Sequence, residues 1–114
     1  MASIVDREAE KSETTVSKLT DAVDYEAGSI ASKTIIDKKG ATVAVFAFDK
    51  FQEIVEHVSP HDLIFCVFEG KAEVTVGTNS HIFEKNELIL IPASTPHSIS
   101  ATSKFKMLLI TLKE

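Results

Sequence analysis

The pattern of apolar and polar positions changes character once along the chain, near Ile30. Before that point, residues 1–15 (MASIVDREAEKSETT) mix charges with few large side chains. They offer too little apolar surface to offset the entropy cost of ordering and are expected to form a flexible tail. Val16, Leu19, Ala22 and Val23 then recur at a spacing that suits one face of a short helix, or an irregular cover segment, ending before Gly28. From Ile30 onward, β-branched and aromatic residues come in short runs separated by turn residues at fairly even intervals. This is the pattern of an all-β sandwich or barrel.

The runs can be followed one by one. IASKTII leads to a turn at Asp37 to Gly40, and ATVAVFAF places Val43, Val45 and Ala47 on one face and Ala44, Phe46 and Phe48 on the other. Both faces are apolar, so this strand is expected to lie between the core and a partner. A homodimer formed through the sheet that carries Val43 to Phe48 is the expectation, with the tail 1–15 and residues 16–23 of the same chain as the competing cover. FQEIVEHV runs up to Pro60, LIFCVFEG up to a turn at Gly70, and KAEVTVG points Lys71, Glu73 and Thr75 outward against Ala72, Val74 and Val76 inward. GTNS supplies a hairpin turn, HIFEKNELILIP two strands around Lys85 and Asn86, and PHSISATS and KFKMLLITLKE the last two strands. Some eight to ten short strands in one domain, residues 16–114, favour a closed barrel that leaves few exposed edges.

Composition narrows the function classes. A chain of 114 residues, 44% hydrophobic, has room for one core. Its net charge of -5, with Lys and Arg scattered among acids, argues against nucleic acid and acidic lipid surfaces as partners. No apolar run approaches the ~20 residues needed to span a bilayer, and no apolar signal core opens the chain, so a cytoplasmic protein is expected. The single cysteine, Cys66, sits inside an apolar strand without basic neighbours. It reads as a buried thiol that reacts only after unfolding. Hydrolase nucleophile motifs, a P-loop and dinucleotide glycine patterns are absent from the sequence.

Two stretches carry the chemistry. HVSPHDLIFCVFEG, from His57 to Gly70, leads a histidine pair and Asp62 into an apolar strand; NELILIPASTPHSIS, from Asn86 to Ser100, runs from an apolar strand through a proline-bounded turn to His97. Their spacing resembles that of the cupin superfamily, whose first motif is G-x5-H-x-H-x3-E-x6-G and second G-x5-P-x-G-x2-H-x3-N. Anchored on His57 and Pro92, both motifs fit end to end, finishing the first at Gly70 and placing the second histidine at His97. The chain departs from the pattern at Phe51, Asn86 and Ser94 in glycine positions, Ser59 for a histidine, Leu63 for the glutamate and Ala101 for the asparagine.

The resemblance covers roughly Ile30 to Leu112 and implies a cupin-type jelly-roll β-barrel with a short N-terminal cover segment, similar to small stand-alone bacterial members. It also implies a pocket shared by His57 and His97, the two positions retained from a metal site of three histidines and a glutamate. His61, four residues beyond His57 and across Pro60, is the candidate third ligand, with Asp62 placed either to orient it or to start the strand. Imidazole ligands suit zinc, iron, nickel or copper, with water in open positions. The expected function is binding of a divalent transition metal, a small molecule, or both, through His57 and His97, with any reaction unspecified. The alternative is a metal-free module that binds or senses a small ligand without catalysis. His81 and Gln52 read as solvated surface, and Phe46, Phe48, Phe65, Phe68 and Phe105 as core or subunit contacts.

Overall fold

The computed structural model describes residues 4–7 and 14–113. Among these, nine strands form: β1 (Ile4–Arg7), β2 (Ile30–Asp37), β3 (Ala41–Phe48), β4 (Glu53–His57), β5 (Asp62–Val76), β6 (Asn79–Glu84), β7 (Leu88–Ile91), β8 (His97–Ser100) and β9 (Phe105–Leu112). One half of the barrel runs in the order β1-β2-β3-β9-β5-β7 and the other in the order β6-β5-β8-β4. The all-β jelly-roll architecture expected from the run pattern is therefore present, and β5 belongs to both halves. Four residues of the expected tail, Ile4–Arg7, pair in parallel with β2 from Ile4↔Ile30 to Arg7↔Lys33. Residues 1–3 and 8–13 of that tail lie outside the described residues.

The expected turn at Gly70 is a bend inside a continuous strand of 15 residues. Gly70 has φ 73°, and a Cβ there would overlap the Lys104 carbonyl oxygen and press on Phe105 at 3.0–3.1 Å. The pairing of β5 with β9 slips between Val67 and Glu69, a bulge that turns the strand without reversing it. Reversal is unnecessary because each half finds neighbours on both sides: β9 and β7 before the bend, β6 and β8 after it.

The two halves close on Phe48, Leu63, Phe65, Val74, Ile99 and Phe105, with Phe48 stacked on Phe105 at 4.4 Å between ring centroids. A smaller cluster lies on the opposite side of the first half, where Val23 covers Ala31, Val45, Ala47 and Phe68. Strand β3 is thus buried on both faces at its C-terminal end, and the chain's own N-terminal segment is the cover there. That segment makes a single turn of 3-10 helix, Leu19–Asp21. Of the four apolar positions expected to bury, Val16 is fully exposed and Leu19 about half exposed; only Ala22 and Val23 pack.

Polar contacts decide this outcome. Lys106, 6% exposed, donates from Nζ to the Thr20 carbonyl at 2.6 Å and lies 4.0 Å from Glu69. The Tyr25 hydroxyl donates to Glu69 at 2.5 Å, and its pKa is raised by burial first and then by the Glu69 carboxylate. A buried cation held by a carbonyl and a carboxylate ties the segment across the sheet, a contact that apolar spacing does not encode.

Among the described residues, three other than glycine have left-handed backbones: Phe51 (φ 68°), Asn86 (φ 73°) and Ser94 (φ 64°). They are the three that occupy glycine positions in the two motifs, so the local backbone is kept although the glycines are gone. Asparagine tolerates this conformation; a bulky aromatic does so at a cost of ~1–2 kcal/mol. Phe51 is held there by donating its backbone N–H to Ala101 O at 2.6 Å, while the ring stays 74% exposed. Phe51→Gly is accordingly expected to raise stability by about 0.5–1 kcal/mol, more than Asn86→Gly, and Gly70→Ala to lower it by more than about 2 kcal/mol. Urea unfolding of the three variants measures this, and equal shifts at positions 51 and 86 would show that backbone strain does not distinguish them.

Candidate functional site

His57 ends β4 and His97 begins β8, and the two are cross-strand partners in the antiparallel pairing of these strands. The register slips between Ile54 and His57, a bulge that changes which β4 residues share the inward face. Simple alternation would group Val55 with His57. Instead Ile54 packs against the core while Val55 is 50% exposed. The bulge aims His57 at its partner, with ring centroids 4.2 Å apart and planes inclined by 58°.

The two imidazoles differ in burial but share one backbone device. His97 is 1% exposed, whereas His57 lies at the surface. Nδ1 of His97 meets the Thr95 carbonyl at 2.9 Å, and Nδ1 of His57 meets the Val55 carbonyl at 3.2 Å. A carbonyl only accepts, so each Nδ1 carries the hydrogen and each neutral ring leaves its lone pair on Nε2. Nε2 of His97 is buried without a hydrogen-bond partner. Phe65 meets the same ring edge-on at 6.2 Å, and Val76 is the β5 residue in register with it.

The remaining sequence candidates are dispersed. His61 is half-buried in the loop between β4 and β5, where its backbone N–H donates to Ser59 Oγ at 3.1 Å. No group of three His, Cys, Asp or Glu side chains able to hold a metal ion occurs among the described residues, so His61 does not complete a three-ligand set with His57 and His97. Asp62 accepts from the Ala93 N–H at 2.7 Å, which ties the rim loops together. His81 is exposed, but it pairs with Val74 and therefore shares the inward-facing row of that sheet half. It borders an open cleft of about 390 Å³ with Phe83 and Ile89 between β6 and β7. Phe48, Phe65, Phe68 and Phe105 are buried and Phe46 packs against the core.

Phe65 and the two carbonyl anchors, Thr95 and Val55, are the site features that sequence reasoning missed. Thr95 is followed by Pro96, a turn signal whose carbonyl role emerges only from the fold. Cys66 is half-buried rather than sealed, with its thiol pKa raised by burial. No helix among the described residues is long and apolar enough to cross a membrane.

Burial lowers the His97 pKa from its ordinary 6.5, outweighing the Thr95 contact that raises it, and His57 lowers it further. As pH falls, the unfolded chain therefore takes up this proton first. The stability contributed by His97 is complete above pH 6.5 and lost as pH drops from 6.5 through the lower folded-state value. His97→Gln is expected to flatten the pH dependence of unfolding between about pH 5 and pH 7. Urea midpoints across that range provide the check, and identical slopes for the two proteins would eliminate His97 as their source.

Comparison with known proteins agrees with this geometry. A cupin-domain family model matches residues 44–112. A conserved protein of unknown function from Streptococcus pyogenes is 32% identical, with a TM-score of 0.85 and 90% of each chain covered. A cupin 2 conserved barrel domain protein from Leptotrichia buccalis is also 32% identical, with a TM-score of 0.80 over 83% of this chain and 46% of that one. A cupin superfamily protein from Desulfitobacterium hafniense shares the fold at 19% identity, with a TM-score of 0.84 over 90% and 94% of the two chains. No curated protein matches. A family model spanning more than half of the chain, and a relative 32% identical over nine-tenths of it, show that the protein belongs to the cupin superfamily and adopts its small barrel.

Proposed function

We propose that this cupin binds a small molecule inside its barrel and presents it to His97, with His57 at the entrance. The observation that carries the reading is the buried Nε2 of His97, which has no hydrogen-bond partner. Leaving such an acceptor unsatisfied costs about 1–3 kcal/mol, and a ligand that donates to it recovers that energy. With the Nδ1 hydrogen committed to Thr95, Nε2 accepts, so the ligand head must carry an O–H or N–H. Phe65 and Val76 beside the ring suit an apolar body behind that head. The exposed His57 ring, 4.2 Å from His97, is the group a ligand meets first. The reading is of a binding or sensing module, and no catalytic step is assigned to it.

A divalent transition metal, zinc, iron or nickel, is the second reading. Both imidazoles leave Nε2 free, the arrangement a metal ligand needs, and backbone carbonyls orient both rings. The donor set nevertheless stops at two. Leu63, 5% exposed, occupies the glutamate position of the motif, Ser59 occupies a histidine position, and no three-ligand group occurs among the described residues. Resident ions are ordinarily held by three or four side chains, so these residues do not fit one, and no chemistry is derived through it.

Two measurements separate the readings. Titration with phenol, followed through the His97 ring nitrogens by NMR, is expected to shift Nε2, whereas anisole, which lacks the donor, should bind at least about 5-fold more weakly. His97→Leu should remove that preference. Equal affinity for phenol and anisole would overturn the ligand reading. Elemental analysis of untagged protein is expected to show far less than one metal per chain; a stoichiometric metal that is lost in His97→Ala would establish the second reading in its place.

A further inference from the structure

Among the described residues, β6 and β7 each pair with one strand, β5, and they belong to opposite halves of the barrel. The halves do not close there: a cleft of about 390 Å³ opens between the two strands. Register decides which side chains form its inner wall. Ala72 meets Phe83 and Val74 meets His81, and because Ala72, Val74 and Phe83 are core residues, His81 faces inward with them. From β7, Ile89 packs against the core opposite Phe65, and Val76 completes the wall from the end of β5.

Two of these residues connect the cleft to the histidine site. Val76 is in register with His97, and Ile89 with Phe65, whose ring meets the His97 imidazole edge-on at 6.2 Å. The cleft therefore lies one residue away from the site along both halves of the barrel. Its chemistry is apolar. Of its polar lining groups, Glu87 is committed, with Oε1 accepting the Glu84 N–H at 2.8 Å, and His81 stands exposed at the rim. Val76, Phe83 and Ile89 have side chains that offer contact surface and no hydrogen bond. The volume falls in the range of small-molecule pockets, roughly 300–1,000 Å³. At the inner side, Nε2 of His97 is buried without a partner in a residue that is 1% exposed. One polar anchor beside an apolar cleft selects a molecule with one donor and a long apolar body.

We infer that the cleft between β6 and β7 seats the apolar tail of the ligand whose donor meets His97. The ligand is then an elongated amphiphile, a phenol or alcohol that carries an alkyl or aryl chain. The inference rests on the ligand reading above and adds a second contact region to it, with Phe83 and Ile89 against the tail and His81 at the rim.

Titration with 4-butylphenol, compared with phenol, tests this. Each methylene taken out of water strengthens binding by about 4-fold, so four added carbons, even partly buried, should bring a gain of at least about 20-fold. Methyl resonances of Ile82 and Ile89, which line the cleft, should shift with 4-butylphenol and stay in place with phenol. His81→Trp puts a bulky ring at the rim, and the ratio of the two affinities should fall below about 3-fold. A gain below about 3-fold in the wild-type protein, or a full gain retained in folded His81→Trp, would overturn the inference while the preference for phenol over anisole, and with it the ligand reading, stands. Equal binding of phenol and anisole removes the ligand reading and this inference together. Should His81→Trp fail to fold, the wild-type methyl shifts decide: Ile82 and Ile89 unmoved under saturating 4-butylphenol would put the tail elsewhere and overturn the inference.

Discussion

The bend of β5 at Gly70 is the constraint on which the rest of the barrel depends. Only a residue without a Cβ passes beneath the Lys104 carbonyl there, and the left-handed backbone suits glycine. Because the strand bends and continues, Leu63, Phe65 and Val67 on one half face Ala72 and Val74 on the other across a single core. The second half then offers its edge to β8, and the pairing Val76↔His97 fixes where the histidine enters the barrel. Strand β4 adds to β8 and brings His57 opposite. The site is thus two pairings removed from one glycine, and a true hairpin at Gly70 would never assemble it.

The rim around the histidine pair shows how lost motif residues were replaced by structural ones. Ser59, at the position of a motif histidine, accepts the His61 N–H on its hydroxyl and the Ser94 N–H on its carbonyl. Asp62 takes the Ala93 N–H. Two hydrogen bonds, from Ser94 to Ser59 and from Ala93 to Asp62, therefore join the two rims before β5 and β8, where a metal site would have drawn them together through shared ligands. Leu63 extends the apolar interior in place of a carboxylate. The interior beside His97 is more apolar than the motif implies, and His97 Nε2 is the one buried side-chain polar atom left without a partner among the described residues.

Much of this was legible in the sequence, for identifiable reasons. Strands announce themselves through period-two alternation, and the Lys71 to Val76 pattern was read residue by residue. The pairing of His57 with His97 followed from motif spacing, which survives because the backbone turns survive: Phe51, Asn86 and Ser94 keep the left-handed conformation of the glycines they stand in for. What was not legible depends on contacts between distant residues. Gly70 followed by a polar residue looks like a turn, and only the Lys104 carbonyl and the partners on both sides make it a bend. The β4 bulge breaks the alternation that grouped Val55 with His57. Periodicity suggested a helical cover over 16–23, whereas the Lys106 ammonium and the Tyr25 hydroxyl choose the segment's path.

The unbroken run LIFCVF connects the site to the outer surface. A strand with one wet face alternates, and a strand buried on both faces reads as continuous apolar sequence. Leu63, Phe65 and Val67 spend their apolar character on the barrel interior. Ile64, Cys66 and Phe68 point the other way, and within the chain only Phe68 is sealed, under the N-terminal segment. The sequence of β5 is therefore more apolar than its burial within the chain requires. The same holds for β3, where Val45 and Ala47 are sealed and Val43 is not. The deficit falls at the same end of both strands, away from the segment that crosses the sheet at Lys106, so one contiguous surface accounts for it on both.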